Sequence, residues 1–414
     1  MRPPSPGRLT APATPERRLY EIDLLRFLAA IMVVLVHLSC GGRLGVTRID
    51  YSDSVGRVGR YGYLGVDLFF MISGLVVFMS LWGRTPGAFV VSRVSRLYPA
   101  FWAGVTTTSL VLLSGAVTRP APTLRDYLVN LTMFAQPLDV PVVEGVYWTL
   151  WAEWRFYFLL FAFSLIGITL GRTHVFLWGW LVATLLVEVL PLPYAVGHPI
   201  ELVLQPVYSH YFIAGMALYL VHRSGFTANR AALLAVAYGN ALHQGVQHAA
   251  ERSRQLVPLQ PAVVVAVITA FFLVMILVAT GALARFGSRS WKPVGDLTYP
   301  LYLVHATVGY AVLNVFGSAV NRWLLLGCLV VGLCLLAWAM NRLVEVPLQP
   351  RLRRALTRIL DHRSEWWHAL ARRWVTDRSG VAARRTATGQ RPPGQKATPA
   401  VRLDEPTRTP GPRL

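Results

Sequence analysis

The chain has 414 residues, of which 54% are hydrophobic and 14% are charged, and its formal net charge at pH 7 is +20. Soluble domains are less apolar and carry about a quarter charged residues, so this composition excludes an ordinary soluble globular protein. We therefore expect an integral membrane protein. Much of the positive charge lies in the terminal segments beside apolar stretches, which favours anionic lipid over nucleic acid as their partner.

Long apolar stretches recur along most of the chain. A bilayer core about 30 Å thick requires roughly 20 mostly apolar residues for each helical crossing. The predicted spans are, in chain order, 21–40, 63–82, 97–115, 146–167, 174–191, 206–222, 228–247, 260–283, 295–317 and 322–344. The span at 228–247 is the weakest, because Asn240, His243 and Gln244 interrupt it. The pattern predicts an all-α, polytopic bundle of about ten transmembrane helices.

Basic segments flank the predicted spans on both sides. Arg17 and Arg18 precede the first span, and arginines fill the tail after the last. Basic flanks favour the cytoplasm, so both termini are predicted to be cytoplasmic, as an even number of spans allows. We divide the chain into a basic segment at 1–19, a transmembrane domain at 20–347 and a basic tail at 348–414. The tail is predicted to form an interfacial helix followed by disorder, with anionic lipid as its partner.

The first span carries an ionisable residue at each end, Arg26 and His37. Eleven steps of about 100° make three full turns plus roughly 20°, so both side chains share one helix face, about 16 Å apart along the axis. Arg26 is then expected toward the cytoplasm and His37 toward the outer surface. One interpretation is that Arg26 reaches lipid phosphate and His37 ends the helix. The other is function, the default for ionisable groups at membrane depth.

The second span opens GYLGVDLFFMISGLVVF and carries Asp67 near its outer end, at roughly the depth of His37. A carboxylate beside an imidazole fixes its tautomer and raises its basicity. The alternative is that Asp67 caps the helix start. Gly65 and Gly74 are expected to permit close approach of a neighbouring helix.

A pair of arginines follows in VSRVSRLYPAFW, which is predicted to be cytoplasmic. Arg93 and Arg96 are three residues apart and so lie on one side of a helical turn. Two guanidinium groups placed in this way suit a phosphate. The alternative is the general excess of basic residues in cytoplasmic loops.

The fourth span, YWTLWAEWRFYFLL, is the least lipid-like. Interfacial belts of tryptophan explain its aromatic residues, but they do not explain Glu153. That carboxylate lies about a turn and a half from the outer boundary and is expected to face a polar cavity. Arg155 is not its expected partner, because residues two apart on a helix do not face each other.

Two further motifs close the apolar region. GDLTYPLYLVHATV places His305 near the middle of its span, either in a site or hydrogen-bonded to a neighbouring helix. In VEVP, Glu345 and Pro347 are expected to end the last span on the cytoplasmic side. No motif in the sequence suggests a metal.

Taken in order, the Arg26–His37 pair, GVDLFFMISG, SRVSRLYP, WTLWAEWRFY, TYPLYLVH and VEVP resemble the acyltransferase 3 family of bacterial membrane O-acyltransferases, over residues 21 to about 347. Such proteins have about ten transmembrane helices and transfer an acyl group, usually acetyl, from cytoplasmic acyl-CoA to a hydroxyl. This chain reads FFMISGL and WTLWAE where relatives often read FFVLSGF and WTLSVE. These changes leave the ionisable residues in place.

The resemblance implies roles for particular residues. It maps the family's key residues onto Arg26, His37, Arg93, Arg96 and Glu153. Together with the helix positions above, the predicted catalytic set is His37, Asp67 and Glu153, in which Asp67 or Glu153 orients the imidazole of His37. The predicted substrate-binding set is Arg26, Arg93, Arg96, Trp148, Trp151, Tyr157 and His305. His37 acts either as a general base or as an acyl carrier, and both routes stay open.

The resemblance also implies partners and a location. The donor substrate is acyl-CoA, with acetyl-CoA expected, and no cofactor is held permanently. The acceptor is a hydroxyl of a sugar, a cell-envelope glycan or a secondary metabolite, and the protein is multi-pass in a bacterial inner membrane. The rival hypothesis is a secondary transporter or exporter, which also has charged residues facing a bundle interior.

Overall fold

The structure is a computed structural model that describes residues 19–255 and 258–361. Over these residues the chain forms helices, turns and loops, and contains no strand. The α-helices are α1 (Tyr20–Cys40), α2 (Gly56–Gly59), α3 (Gly65–Leu81), α4 (Pro86–Leu113), α5 (Leu124–Asn130), α6 (Trp148–Leu165), α7 (Leu170–Val189), α8 (Tyr194–Leu204), α9 (Pro206–Ser224), α10 (Ala228–Gln255), α11 (Pro261–Ala279), α12 (Trp291–Phe316) and α13 (Arg322–Met340). The predicted all-α fold is confirmed.

Several of these helices are suited to a bilayer. Within the described residues, five helical segments are long and apolar enough to cross a membrane. They are Tyr20–Cys40, Gly56–Leu81, Leu170–Val189, Pro261–Ala279 and Arg322–Asp361. A helix covers each of the ten predicted spans, but the number of crossings and the cytoplasmic placement of the termini stay predictions.

Helix α9 lies at the centre of the bundle. Every residue from Ser209 to Val221 is buried, and a helix that is buried on all sides belongs to the core of a large protein or membrane bundle. Helix α3 packs against α9, and α1 packs against α12. The residues that carry the predicted site therefore lie on helices that contact one another.

Glycines allow α3 and α9 to approach each other closely. A Cβ atom on Gly74 would lie 2.3 Å from the carbonyl oxygen of Phe212, and one on Gly215 would lie 2.1 Å from the carbonyl oxygen of Met71. On α3, a Cβ atom at Gly65 would lie 2.5 Å from the Ala29 carbonyl of α1. The expected packing role of Gly65 and Gly74 is confirmed.

The expected helix end at VEVP is wrong. A π-helical turn spans Asn341–Glu345, and the chain continues as a helix through Pro347. The wide turn interrupts the regular hydrogen-bond ladder just before the proline. Because proline has no N–H to donate, it is tolerated where the ladder is already interrupted. The turn also keeps Glu345 buried, with the Asn341 amide donating to its carboxylate at 3.1 Å.

Parts of the predicted terminal segments lie outside the described residues. These are residues 1–18 of the basic N-terminal segment, and 362–414, which hold most of the predicted interfacial helix and the predicted disordered region.

We expect Gly215→Ala to destabilise the protein. The added Cβ atom would meet backbone on α3, which cannot move aside as a side chain can, and overpacking of this kind costs about 1–3 kcal/mol. The measurement is thermal unfolding of the purified protein in detergent. Gly327→Ala is the matched control, since a Cβ atom there meets nothing within 4 Å. Equal melting temperatures for the two variants would contradict the proposed close packing.

Candidate active site

Two cavities lie at opposite ends of α1. The histidine cavity, of about 170 Å³, adjoins the end that carries His37. The arginine cavity, of about 430 Å³, adjoins the end that carries Arg26. Ionisable and aromatic side chains on the wall of the histidine cavity include His37, Asp67, Tyr208, His210, His248 and Arg252. Those of the arginine cavity include Arg26, Arg93, Arg96, Glu153, Tyr157 and Glu345.

A middle cavity of about 60 Å³ lies between these two spaces. It shares Arg26, Ser73 and Glu153 with the arginine cavity. It shares Val66 and Tyr302 with the histidine cavity. The middle cavity therefore adjoins both other cavities through the side chains that it shares with each of them.

Glu153 belongs to the Arg26 end of this series. Its Oε1 accepts hydrogen bonds from the hydroxyls of Ser73 at 2.8 Å and Tyr157 at 2.6 Å, and the carboxylate interacts electrostatically with Arg26. The expectation that Glu153 faces a polar cavity is met. The same carboxylate was expected to assist His37, but it does not line the histidine cavity.

Three arginines come together in the arginine cavity. Arg26 of α1 lies close enough to Arg96 of α4 for the two charges to interact, and Arg93 lines the same wall. Glu153 and Glu345 offset part of this positive charge. The Nε of Arg93 is buried with no hydrogen-bond partner. Several guanidinium groups around one space are suited to phosphate groups.

His37 is hydrogen-bonded to its own helix and to a second histidine. Its Nδ1 lies 2.7 Å from the Val33 carbonyl oxygen and 3.3 Å from Nε2 of His305. Nδ1 of His305 lies 2.9 Å from the Tyr302 carbonyl oxygen. Because a carbonyl only accepts, both Nδ1 atoms carry protons in the neutral rings, and both Nε2 atoms hold a lone pair. His37 therefore has a basic Nε2 whose ring lines the histidine cavity.

Asp67 is buried in the histidine cavity but does not orient His37. Its Oδ2 accepts the hydroxyl of Tyr211 at 3.1 Å. The Val33 carbonyl and His305 hold the imidazole instead. The physical reason is local: a carbonyl four residues back along α1 is already within reach of Nδ1, so no carboxylate is needed there. His305 itself is 0% exposed.

The three aromatic residues predicted to contact substrate do not line one common space. Trp148 lines the histidine cavity, 5.4 Å from the Tyr208 ring between centroids, and Tyr157 lines the arginine cavity. Trp151 lines neither of these spaces; it packs against Phe134.

Sequence reasoning missed Glu144, which lies in the loop before α6 and is only 1% exposed. Its Oε2 accepts the backbone N–H of Thr307 at 3.0 Å, and nearby Tyr147 donates its hydroxyl to the Leu303 carbonyl at 3.2 Å. In a regular helix that N–H and that carbonyl would pair with each other. These two side chains therefore form hydrogen bonds with the backbone of α12 on either side of His305. An acidic loop residue has no sequence pattern that would have revealed this.

Burial raises the pKa of Glu144 to about 7, although N–H donors of Thr307 and Gly145 favour its charged form. The opposing hydrogen bonds do not outweigh the loss of solvent around the carboxylate.

Over the described residues, no group of three or more His, Cys, Asp or Glu side chains is placed to hold a metal ion. The cationic groups of the arginine cavity are suited to a phosphorylated substrate instead.

Comparison with known families addresses the resemblance directly. A family model described as an acyltransferase domain matches residues 19–342. The chain belongs to the acyltransferase 3 family. The match includes His37, His305, the three arginines and Glu153, whereas Glu345 of the arginine cavity lies beyond its end. No curated protein and no solved structure matches the chain. With its apolar helices, the protein is a membrane acyltransferase.

We expect the stability of the protein to fall as pH rises from about 4.5 to about 7, partly through Glu144. Folded Glu144 keeps its proton over this range while the unfolded chain loses it, so the stabilisation present at low pH disappears by about pH 7. The change is on the order of 3 kcal/mol at most. Glu144→Gln mimics the protonated form and should flatten this part of a profile of melting temperature against pH.

The control for this profile is Glu201→Gln, a substitution at an exposed glutamate. It should keep the wild-type slope. A Glu144→Gln profile that runs parallel to wild type would show that the carboxyl is already ionised in the folded protein.

Proposed function

We propose that this acyltransferase transfers an acyl group from cytoplasmic acyl-CoA to a hydroxyl of a sugar, a cell-envelope glycan or a secondary metabolite. The expected acyl group is acetyl. The observation that carries the proposal is the series of cavities along α1, with three arginines at one end and the His37–His305 pair at the other. Donor and acceptor would approach from opposite ends and meet near His37.

The arginine cavity is the proposed site for the phosphates of CoA. Arg26, Arg93 and Arg96 supply the positive charge, and guanidinium groups bind phosphate oxygens with paired N–H donors. The long pantetheine arm would carry the thioester along the middle cavity. The acyl group would then react in the histidine cavity, whose wall carries His37.

The proposed chemistry takes place at Nε2 of His37. This nitrogen accepts the proton of the acceptor hydroxyl while the oxygen attacks the thioester carbon. A C–O ester bond forms, the C–S bond breaks, and the proton passes to the departing CoA thiolate. His305 positions the ring through its contact with Nδ1 at 3.3 Å.

The charge distribution supports a location and an orientation. Basic terminal segments favour the cytoplasmic side. In the proposed orientation the arginine cavity would face the cytoplasm and the histidine cavity the outside of a bacterial inner membrane. The arginine-rich tail is proposed to rest on anionic lipid.

We expect His37→Ala to lower acyl transfer by at least about 100-fold, because removal of a positioned general base costs this much. The assay follows label from radiolabelled acetyl-CoA into an envelope extract, with membranes that contain equal amounts of each variant. His198→Ala is the matched control, since His198 is exposed on α8 outside the three cavities. Undiminished transfer by His37→Ala would exclude the proposed role of that residue.

Changes in the arginine cavity should act on donor binding. Arg93→Gln and Arg96→Gln are expected to raise the KM for acetyl-CoA about tenfold each, with a smaller change in kcat, because each removes a charged phosphate contact. The control is Arg84→Gln, a substitution at an exposed arginine close to α4 in sequence, which should leave the KM unchanged.

Accumulation of an acceptor in sealed vesicles without consumption of any acyl-CoA would favour a transporter instead.

A further inference from the structure

Arg252 brings a cation to the histidine cavity, away from the arginines proposed for CoA. Its Nε donates to Nε2 of His248 at 2.8 Å, and its guanidinium lies 4.5 Å from the centroid of the Tyr63 ring. Within the described residues, no hydrogen bond or ion pair engages its two terminal nitrogens. The side chain is thus held at its Nε edge and by its flat face, while its other N–H donors stay available.

No other charged group on the wall of this cavity forms an ion pair with Arg252 in the part of the chain that the structure describes. The guanidinium of Arg60 is taken up by backbone carbonyls of Gly56, Pro258 and Ser52 at 2.9 to 3.3 Å. Asp67 is the carboxylate on the cavity wall, and it is hydrogen-bonded to Tyr211.

The neighbouring acidic residue, Glu251, is exposed and lies outside the cavity wall. Arg252 is near enough to interact electrostatically with His37 and Asp67. The cation therefore acts in the same space as the proposed base.

His210 is a second residue of this cavity that has an unpartnered polar atom. His210 is 0% exposed, and its Nε2 has no hydrogen-bond partner. The ring is hydrogen-bonded to the Pro206 carbonyl, and this bond must use Nδ1 because Nε2 is unpartnered. Nδ1 also lies 3.5 Å from the Asn240 amide nitrogen. With Nδ1 donating to the carbonyl, Nε2 is a buried acceptor on a residue that lines the cavity. A buried acceptor left without a hydrogen bond is unfavourable, and a bound hydroxyl would supply the missing bond.

We propose that the histidine cavity is an acceptor site for an anionic sugar, with a carboxylate or phosphate of the acceptor on Arg252 and a hydroxyl on His210. This inference rests on the proposed function and adds the class of acceptor. Guanidinium binds either anion through two parallel N–H bonds. The bound anion would also offset the positive charge near His37 at the moment its ring accepts a proton.

A purely structural role for Arg252 is the competing explanation. A cation in the last turn of α10 also interacts favourably with the helix dipole. Arg254 occupies the same last turn and is exposed, so a substitution there measures the dipole effect without touching the cavity.

The test measures sugar binding directly, by isothermal titration calorimetry of the full-length protein in nanodiscs of neutral lipid. The probes are glucuronate, glucose 6-phosphate and glucose, which separate a carboxylate from a phosphate and both from a neutral sugar. Wild type should bind at least one anionic probe about tenfold more tightly than glucose. Arg252→Gln should abolish this preference, Arg252→Lys should retain part of it, and Arg254→Gln should retain all of it.

Three results would overturn the anionic subsite. They are equal affinities of wild type for all three sugars, an unchanged preference in Arg252→Gln, and loss of the sugar signal when CoA occupies the protein. Acyl transfer is measured in parallel with the same sugars. Transfer to glucose without any preference for anions would remove the subsite and keep the enzyme, whereas binding that depends on Arg252 without any transfer would keep the subsite and remove the proposed function.

Discussion

The helical repeat of α1 is the constraint on which the site depends. Because three turns of helix nearly match eleven residues, one face of one helix presents Arg26 to the arginine cavity and His37 to the histidine cavity. Ionisable groups are costly in an apolar bundle unless they face a polar space. Other charged side chains, among them Asp67 and Arg252 at one end and Arg93 and Arg96 at the other, line the same two cavities, and the middle cavity lies between these cavities.

Much of this arrangement could be predicted from the sequence, because it depends on spacing along single helices. The separation of Arg26 and His37, the pairing of Arg93 with Arg96 and the close packing at Gly74 all follow from the helical period. The order of the motifs also identified the family. In each case the relevant information lies within a short stretch of chain.

The residues that sequence reasoning misplaced depend on contacts between distant segments. Glu153 was expected to assist His37, but its depth in α6 places it beside Arg26. His305 contacts His37 across 268 residues of sequence. Glu144 reaches α12 from a loop, and no period or motif marks such a residue. Pairing of this kind becomes visible only when the helices are packed.

Hydrogen bonds between α12 and the loop before α6 limit how these two segments can move. Glu144 and Tyr147 occupy backbone groups of that helix at Thr307 and Leu303, so α12 cannot turn about its axis without breaking both bonds. Helix α12 and the loop before α6 therefore keep a fixed position relative to each other. A change in the width of the histidine cavity would therefore have to come from its other walls, which include His248 and Arg252 of α10.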